Sequence, residues 1–402
     1  MQHDPLTMFC YTDLSGQVRG KGFPTRQIEK RLTGGIGWTP NNLMFTALGT
    51  LAPGEWGSHG DVTLMADKAT GVEVDFGDGT PAERFYLCDV QNTDGTPWDC
   101  CTRTLLRDAT AELLAETGLT VKATFGQEFI YSGANSRTAD NYALDAVRRH
   151  GAFGETCLGA LHTAGIEVDS YLAEFGPGQF EVTVPPQDAL AACDAAHPFG
   201  IGQAAGQFLS GIVRHMPALC AFTAPSPVSY LRLVSHSRTG VWSNVGVRDR
   251  EAGLRIRPTF GTSPEAVARQ FNFEYRAADA TANPYLQLAV ILRAELAGIR
   301  DALPSPQPTV EEDPETMPPE ALTARQMMRL PSSAQAALAA LMADPVAGLS
   351  AATALSGLYR QQAGRNRPDA GLDARRNLPA LCRSVLRQRG QRWENLRAMW
   401  PS

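Results

Sequence analysis

The sequence predicts an α+β fold with an antiparallel sheet, and two observations support this class. Residues 1–90 alternate short β-like runs with Gly-rich turns, which indicates a small strand-rich domain. The remaining chain contains both strand and helix patterns, but they do not alternate regularly as a doubly wound fold requires. The length of 402 residues is enough for two or three domains.

Beyond residue 90, hydrophobic periodicity and turn residues place the elements in order. The stretch 103–116, RTLLRDATAELLAE, has a helical pattern that ends at Gly118. The stretch 202–222 predicts an amphipathic, buried helix. The other predicted elements are a strand at 120–133, a helix at 139–164, strands at 167–174 and 179–184, a helix at 186–194, strands at 253–258 and 270–276, a helix at 283–299 and a Pro- and Glu-rich linker at 303–320.

The composition is that of an ordinary globular protein, with 43% apolar and 19% charged residues. No apolar run is long enough to span a bilayer and no signal-peptide pattern is present, so we expect a cytoplasmic protein without membrane contact. The net charge of -6 argues against general affinity for nucleic acid. The eight Cys residues show no Cys-x-x-Cys spacing, so we expect reduced structural thiols and no zinc site.

The stretch AEFGPGQFEV (residues 173–182) predicts a hairpin with a Glu on each arm. If the loop is 176–179, Phe175 pairs with Phe180 and Glu174 faces Glu181 on the same side of the sheet. Like charges directly opposite each other are destabilising. The pair is either a solvated surface feature or the two sides of a site for a divalent cation, which prefers oxygen ligands.

Two further acids, Glu128 in FGQEFIY and Glu274 in FNFEYR, also lie in strand-like, aromatic surroundings. Such charges are rarely buried unless they are paired or bound to a metal. Four arginines offer the complementary charge for carboxylate or phosphate oxygens, namely Arg232, Arg250, Arg255 and Arg276. The set suits phosphoryl transfer without a P-loop, because that motif is absent, although structural ion pairs are the alternative.

The ordered series of motifs resembles the glutamine synthetase family from about Asp13 to Pro345. The motifs that carry the resemblance are DLSGQVRGK, DVTLMADKAT, EFGPGQFEV, SYLRL, DREAGLRIRP, FEYRAADATANPYL and LPSSAQAALAALMAD. The resemblance implies a small β-grasp-like N-terminal domain at 1–90. It also implies a catalytic domain at 91–345, with a curved antiparallel sheet flanked by helices. Residues 346–402 form a basic C-terminal tail.

The resemblance also implies a reaction. Members of the family join ammonia or an amine to the γ-carboxylate of glutamate through γ-glutamyl phosphate, with ATP as co-substrate and two Mg²⁺ or Mn²⁺ ions. Active sites are shared between neighbouring subunits, so we expect a homo-oligomer. The resemblance does not imply that the protein binds nucleic acid.

Each candidate residue takes its role from the matching motif. Glu128, Glu174 and Glu181 resemble the ligands of the metal on the glutamate side, and Glu274 resembles a ligand of the second metal. Arg232 resembles the residue that binds the glutamate carboxylate. Arg250 and Arg276 resemble arginines that contact the transferred phosphate and the substrate. Arg255 resembles an arginine near the nucleotide phosphates.

The family pattern is broken in several places. Gly126 stands where the family has a second-metal Glu, and a long segment with a metal-binding His is missing after Asp194. His197 lies in no comparable context, and a family Glu in the flap falls near Arg238, a change also found in relatives that use amines. CCTR at 100–103 replaces the family's Cys-Pro-Arg.

These departures predict impaired activity, at least toward ammonia. The alternative is a non-catalytic homologue that binds a metal or ligand or joins oligomers, and a third possibility is a decayed protein without a selected function. The stretch from 358 to the C-terminus has ten Arg, no Lys and three acids, which indicates a solvated basic helix or tail; a nucleic-acid or acidic-partner arm is the alternative.

Overall fold

The fold is described from a computed structural model of the chain. The residues that it describes are 4–45, 51, 60–77, 79–131, 140–195, 198–199, 205–236, 239–247, 249–257, 272–306, 308–310 and 312–344. The predicted basic tail at 346–402 lies outside the described residues, as do His197 and Arg238. No helix within the described ranges is long and apolar enough to cross a membrane.

The N-terminal part forms a six-stranded sheet in the order β2-β1-β6-β4-β3, with β5 paired to β6. Its strands are β1 (Leu6–Thr12), β2 (Val18–Pro24), β3 (Ile36–Trp38), β4 (Val62–Ala66), β5 (Val72–Val74) and β6 (Glu83–Asn92). A short helix, α1 (Ile28–Gly34), follows β2. All pairs are antiparallel except β1 with β6. The prediction of a strand-rich N-terminal region is confirmed.

Three smaller sheets follow, each with three strands. They are β8 (Gln127–Ile130), β10 (Gln179–Thr183) and β9 (Ser170–Ala173); β11 (Gln187–Asp188), β7 (Lys122–Ala123) and β12 (Pro198–Phe199); and β13 (Trp242–Val247), β14 (Ala252–Ile256) and β15 (Phe273–Tyr275). The predicted strand at 120–133 is therefore two strands, because its two halves pair with different sheets. The pairing is antiparallel apart from β13 with β14.

The helices pack around these sheets, so the predicted α+β class is confirmed. They are α2 (Thr102–Thr117), α3 (Leu144–Arg149), α4 (Gly151–Thr163), α5 (Ala189–Ala195), α6 (Ala205–Thr223), α7 (Pro284–Arg300), α8 (Pro319–Ala324) and α9 (Ala334–Ala343). The single helix predicted at 139–164 is wrong, because His150 leaves the helical backbone region (φ -114°, ψ 19°) and separates α3 from α4. The helix predicted at 186–194 begins later, since Gln187 and Asp188 join β11.

Helix α7 is the central helix of the part that follows the N-terminal sheet, where it packs against both α6 and α2. Asn283 begins this helix by accepting a hydrogen bond from the Leu286 amide with its side-chain oxygen. The side-chain nitrogen of Asn283, Nδ2, donates to the carbonyls of Thr12 and Asp13 in the N-terminal part. One buried side chain therefore fixes both the start of α7 and its contact with the N-terminal sheet.

Arg103 makes a second link between the two parts of the chain. Its side chain is 3% exposed and donates to Asp89 (2.9 Å) and Asp67 (3.2 Å) of the N-terminal sheet region. It also binds both oxygens of Asp194 at 3.0 and 2.6 Å. Buried charges are stable only when they are compensated in this way. Asp194, the last residue before the shortened region, is thus held firmly in place.

Candidate active site

The hairpin around the Gly-Pro-Gly turn positions the first candidate carboxylates. The Glu174 amide donates to the Gln179 carbonyl at 2.8 Å, and the register pairs Ala173 with Phe180 and Leu172 with Glu181. The predicted pairing of Glu174 with Glu181 is therefore wrong by two positions. Because side chains alternate with a period of two, this shift leaves both Glu residues on the predicted face.

A third carboxylate joins them on that face. Strand β10 lies between β9 and β8, and its Glu181 is directly opposite Glu128 of β8. Glu174 lies two residues beyond Leu172, the partner of Glu181, and therefore occupies a diagonal position on the same face. Side chains at opposed and diagonal positions are within reach of one another. The sheet thus gathers three Glu residues that are separated by up to 53 positions in the sequence.

The pKa values show how strongly these carboxylates affect each other. Burial raises the pKa of Glu181 to about 7, and a hydrogen bond with Glu174 and the charges of Glu128, Glu174 and Glu274 contribute to the rise. Burial of its carboxyl group, together with the charge of Glu174, also raises the pKa of Glu128. This is the expected response of crowded carboxylates, and a bound cation would relieve it.

The three carboxylates also make hydrogen bonds with neighbouring groups. Glu174 Oε2 accepts from the Phe175 amide at 3.0 Å and from the Tyr142 hydroxyl at 3.1 Å. Glu128 Oε2 accepts from Gln179 Nε2 at 2.6 Å. In the described part of the chain, no three His, Cys, Asp or Glu side chains are arranged as a ready metal cage. The carboxylates share one face, and Glu128 and Glu174 are each also hydrogen-bonded to a neighbouring group.

Arg232 extends the site away from the sheet. It follows a short 3₁₀ helix at Ser229–Leu231, and its Nη2 donates to the Ala278 carbonyl at 2.7 Å. Burial lowers the pKa of Arg232, whereas the nearby charges of Asp279 and Glu128 act in the opposite direction. A guanidinium group in this position can bind an anion, since it is half-buried and close to the carboxylate face.

Glu274 lies in a different environment from the other three acids. The β14–β15 register places it opposite Arg255, whose Nη1 donates to Glu274 Oε2 at 2.9 Å. Arg276 pairs with the other oxygen and also donates from Nε to the Arg250 carbonyl at 3.1 Å. The buried Nε of Arg255 finds no hydrogen-bond acceptor among the described residues. Both oxygens of Glu274 are therefore bound by guanidinium groups.

Gly126 explains how closely Glu181 approaches the end of β8. A Cβ atom at this position would collide with Oε1 of Glu181. The family acid predicted for this position could therefore enter only if Glu181 moved. The carboxylate of Glu181 therefore occupies the space that a side chain at this position would need.

All eight predicted residues are connected by direct contact or by their electrostatic effect. The group comprises Glu128, Glu174, Glu181, Glu274, Arg232, Arg250, Arg255 and Arg276. Sequence reasoning missed Tyr142, which holds Glu174 from a backbone conformation with φ of 56° that is rare for a Tyr. No local sequence signal marks it. Gln179 was visible within the hairpin motif, although its contact with Glu128 was not.

Two family models match this chain in succession. The model for the glutamine synthetase N-terminal domain matches residues 1–98, and the model for the glutamine synthetase catalytic domain matches residues 99–200 and 196–352. The chain belongs to the glutamine synthetase family. Members of this family are ligases that use ATP and divalent metals, and the predicted recognition and fold are confirmed. The boundary predicted at residue 90 stays a prediction.

Individual relatives agree with this assignment. The γ-glutamylpolyamine synthetase GlnA3 of Streptomyces coelicolor is 29% identical, with 84% of each chain covered. The glutamine synthetase of Frankia alni is 38% identical over 145 residues, which are 36% of this chain and 29% of the relative. A crystal structure of a glutamine synthase homologue superposes with a TM-score of 0.80 at 30% identity, covering 93% of this chain and 96% of the other.

Two features of these matches agree with a shortened region after Asp194. The catalytic-domain match is split into two pieces that meet at residues 196–200. The alignment with the S. coelicolor relative has 407 positions, more than this whole chain, although it includes only 84% of the chain. That relative of the glutamine synthetase family therefore has additional residues inside the aligned region.

Proposed function

We propose that this chain is an ATP-dependent carbon–nitrogen ligase that joins an amine, or ammonia, to the γ-carboxylate of glutamate. One observation carries the proposal: a carboxylate face on one sheet adjoins an arginine-bound Glu274 on another. In the first step a glutamate γ-carboxylate oxygen attacks the terminal phosphorus of ATP, and ADP leaves. In the second, the amine nitrogen attacks the carbonyl carbon, phosphate leaves, and the nitrogen loses a proton.

The arginines divide the binding of the anionic groups. Arg232 binds the α-carboxylate of glutamate, since it is half-buried beside the carboxylate face. Arg255 binds nucleotide phosphates with the guanidinium group that also pairs with Glu274. Arg276 and Arg250 stabilise the charge of the transferred phosphoryl group. In such transfers catalysis depends mainly on positioning and charge neutralisation.

The glutamate side fits a divalent cation. Glu128, Glu174 and Glu181 supply only oxygen ligands, as Mg²⁺ and Mn²⁺ prefer, and burial together with the charges of neighbouring carboxylates raises the pKa values of Glu128 and Glu181. An ion held there would neutralise the glutamate carboxylate and the phosphate formed on it. These three side chains would hold the ion, and Gln179 and Tyr142 would orient two of them.

The nucleotide side fits a second ion poorly. Gly126 offers no ligand, the His-bearing segment is missing, and both oxygens of Glu274 are bound by Arg255 and Arg276. We therefore infer a slower reaction than in a family member with both metal sites complete. We also expect a homo-oligomer in which a neighbouring N-terminal domain completes each site.

An amine is a better acceptor candidate than ammonia. The relative with 84% coverage is a γ-glutamylpolyamine synthetase, and Arg238 stands near the position of the flap acid that helps to deprotonate ammonium. A non-catalytic role is the second candidate, because the loss of ligands on the nucleotide side favours it.

The test measures ADP release from the purified oligomer with ATP, glutamate, Mg²⁺ and a panel of amines. We expect release that requires both glutamate and an amine. The variant Arg232→Lys should raise the KM for glutamate by about 10- to 100-fold, because a charge-assisted hydrogen-bond pair is worth about 1.5–3 kcal/mol. The matched control is Arg300→Lys, whose arginine lies on the outer surface of α7 and pairs with Glu112 and Glu116.

Titration of ATP, together with Mg²⁺ or Mn²⁺, into the purified protein distinguishes the ligase from the non-catalytic role. Binding of the nucleotide without ADP release for any acceptor would contradict the ligase and support the non-catalytic role. Binding of Mn²⁺ alone, with no nucleotide binding, would indicate that only the glutamate side is functional.

A further inference from the structure

A network of hydrogen bonds surrounds the carboxylate of Glu315, which lies in a short 3₁₀ helix at Pro314–Thr316. One of its oxygens, Oε1, accepts from the hydroxyl of Ser235, from Trp242 Nε1 at 3.1 Å and from Arg329 Nη1 at 2.5 Å. The hydrogen bond from Ser235, together with those from Trp242 and Arg329, lowers the pKa of Glu315. One carboxylate oxygen therefore joins groups from three other parts of the chain.

Arg329 connects the same groups a second time. Its Nη2 donates to the Ser235 hydroxyl at 3.1 Å, and its guanidinium carbon lies 5.5 Å from the centre of the Trp242 ring. A backbone bridge also pairs Arg329 with Trp242. Glu315 and Arg329 thus hold Ser235 and Trp242 between them, and we call this pair the Glu315–Arg329 clamp.

Ser235 directly follows the turn that carries Arg232. The Arg232 amide donates to the Ser229 carbonyl at 3.1 Å, and the Arg232 carbonyl accepts from the Val234 amide at 2.8 Å. Ser235 is the next residue, so a single short hydrogen-bonded turn fixes its position relative to Arg232. A displacement of Ser235 would therefore displace Arg232 as well.

Trp242 connects the clamp to the sheet on the nucleotide side of the site. It is the first residue of β13, which pairs with β14. Strand β14 carries Arg255 and pairs in turn with β15, which carries Glu274. The clamp thus fixes the Arg232 turn against this sheet. The guanidinium group of Arg232 is fixed separately, because its Nη2 donates to the Ala278 carbonyl at 2.7 Å.

A surface ion pair that only adds stability is the competing interpretation, and the same linker contains an example of one. Glu312 binds Arg325 with both carboxylate oxygens, at 2.6 and 3.0 Å. In the described part of the chain, neither residue of that pair has a hydrogen bond with Ser235 or Trp242. Exposed pairs of this kind contribute little to stability. The Glu315–Arg329 clamp differs from it because the clamp also holds two groups outside the pair.

We propose that the Glu315–Arg329 clamp positions Arg232 for the α-carboxylate of glutamate. Glu315 and Arg329 are positioning residues, since they act through Ser235 and Trp242 rather than on the substrate. The proposal rests on the proposed ligase function, in which Arg232 binds glutamate, and it adds two residues to that function. A displaced Arg232 binds the carboxylate more weakly, so loss of the clamp should raise the KM for glutamate with little change in kcat.

The test compares Glu315→Ala with Glu312→Ala, a matched control on the same linker. Each change removes an exposed ion pair with an arginine, so both variants should lose a similar, small amount of thermal stability. Glu315→Ala should raise the KM and the Kd for glutamate by about 3- to 10-fold, as measured by ADP release and by isothermal titration into the full-length protein. Glu312→Ala should leave both constants unchanged. Glu315→Gln should have a smaller effect, because its amide oxygen still accepts from Ser235 and Trp242.

A double-mutant cycle with Arg232→Lys determines whether the clamp acts through Arg232. Lysine lacks the planar fork that the clamp positions. In the Arg232→Lys background, Glu315→Ala should therefore change the affinity for glutamate by less than about 2-fold, because two changes that act on one interaction are not additive.

The clamp would be overturned by unchanged glutamate affinity in Glu315→Ala, by equal effects of Glu315→Ala and Glu312→Ala, or by the full effect of Glu315→Ala in the Arg232→Lys background. ADP release that requires glutamate and an amine would leave the ligase function standing in each of these cases. Glutamate affinity that depends on the clamp, in a protein that releases no ADP with any acceptor, would uphold the clamp and contradict the proposed function.

Discussion

The sheet β8-β10-β9 and the sheet β13-β14-β15 both present Glu side chains to the same site, yet their charges are compensated differently. On the first, Glu128, Glu174 and Glu181 face one another, and the pKa of Glu181 rises to about 7. On the second, Glu274 is bound by two arginines. The first region has negative charge available for a cation, whereas the second has already neutralised its own. Residue type alone therefore does not decide which ligand a Glu-bearing strand will bind.

The largest expected effect concerns the first region. Glu181→Gln should weaken Mn²⁺ binding by more than the roughly 10- to 100-fold typical of losing an outer partner of a metal ligand. The reason is that Glu181 lies on the middle strand, between the other two carboxylates. Isothermal titration with Mn²⁺ measures the affinity of wild type and variant, and Glu167→Gln, at an exposed position, is the control variant. Unchanged affinity would show that this face is not a metal site.

A third environment sharpens the comparison, because Glu295 of α7 forms no ion pair with any residue that the structure describes. Its side chain is 1% exposed, Oε2 has no hydrogen-bond partner among the described residues, and burial raises its pKa well above the ordinary value of 4.5. The unfolded chain releases this proton near pH 4.5, whereas the folded chain retains it to higher pH. Wild-type stability should therefore fall as the pH rises above 4.5.

Glu295→Gln removes this dependence. The stability of the variant relative to wild type should increase with pH by up to about 1.4 kcal/mol per unit, starting near pH 4.5 and ending at the folded-state pKa. Denaturant unfolding at several pH values measures the slope, which is independent of any constant cost of the buried amide. A slope equal to that of the exposed Glu320→Gln would contradict the buried, protonated carboxyl.

The smallest effect tests the second region directly. Glu274→Gln leaves Arg255 and Arg276 without their shared carboxylate, so the free energy of unfolding should fall by about 1 kcal/mol, a value discounted for partial exposure. Glu181→Gln should not lower it, because that change relieves repulsion. Thermal unfolding at pH 8 without metal compares the two. If Glu181→Gln lowered the free energy of unfolding more than Glu274→Gln does, the two regions would not differ in charge compensation as described.

Particular elements show how far the sequence could predict this structure. The helices at 103–116 and 283–299 were predicted to within a residue or two, because their apolar periodicity and their boundary residues Gly118 and Asn283 agree. The hairpin was predicted with the wrong pairing, since a four-residue loop can be placed in two ways around the Gly-Pro-Gly turn. The break at His150 had no local signal, so α3 and α4 were predicted as one helix.

The sequence by itself determined the family and the α+β class, and it predicted which acids and arginines form the site. It left open whether Glu174 and Glu181 share a face, because a one-residue change of register sends a side chain to the opposite face, and the register of the folded sheet decided this. Only the tertiary structure decided that Glu274 pairs with Arg255 and Arg276, and that Glu315 and Arg329 hold Ser235 and Trp242. The physical reason is that Coulomb interaction depends on distances in space, and these follow from packing between segments far apart in the chain.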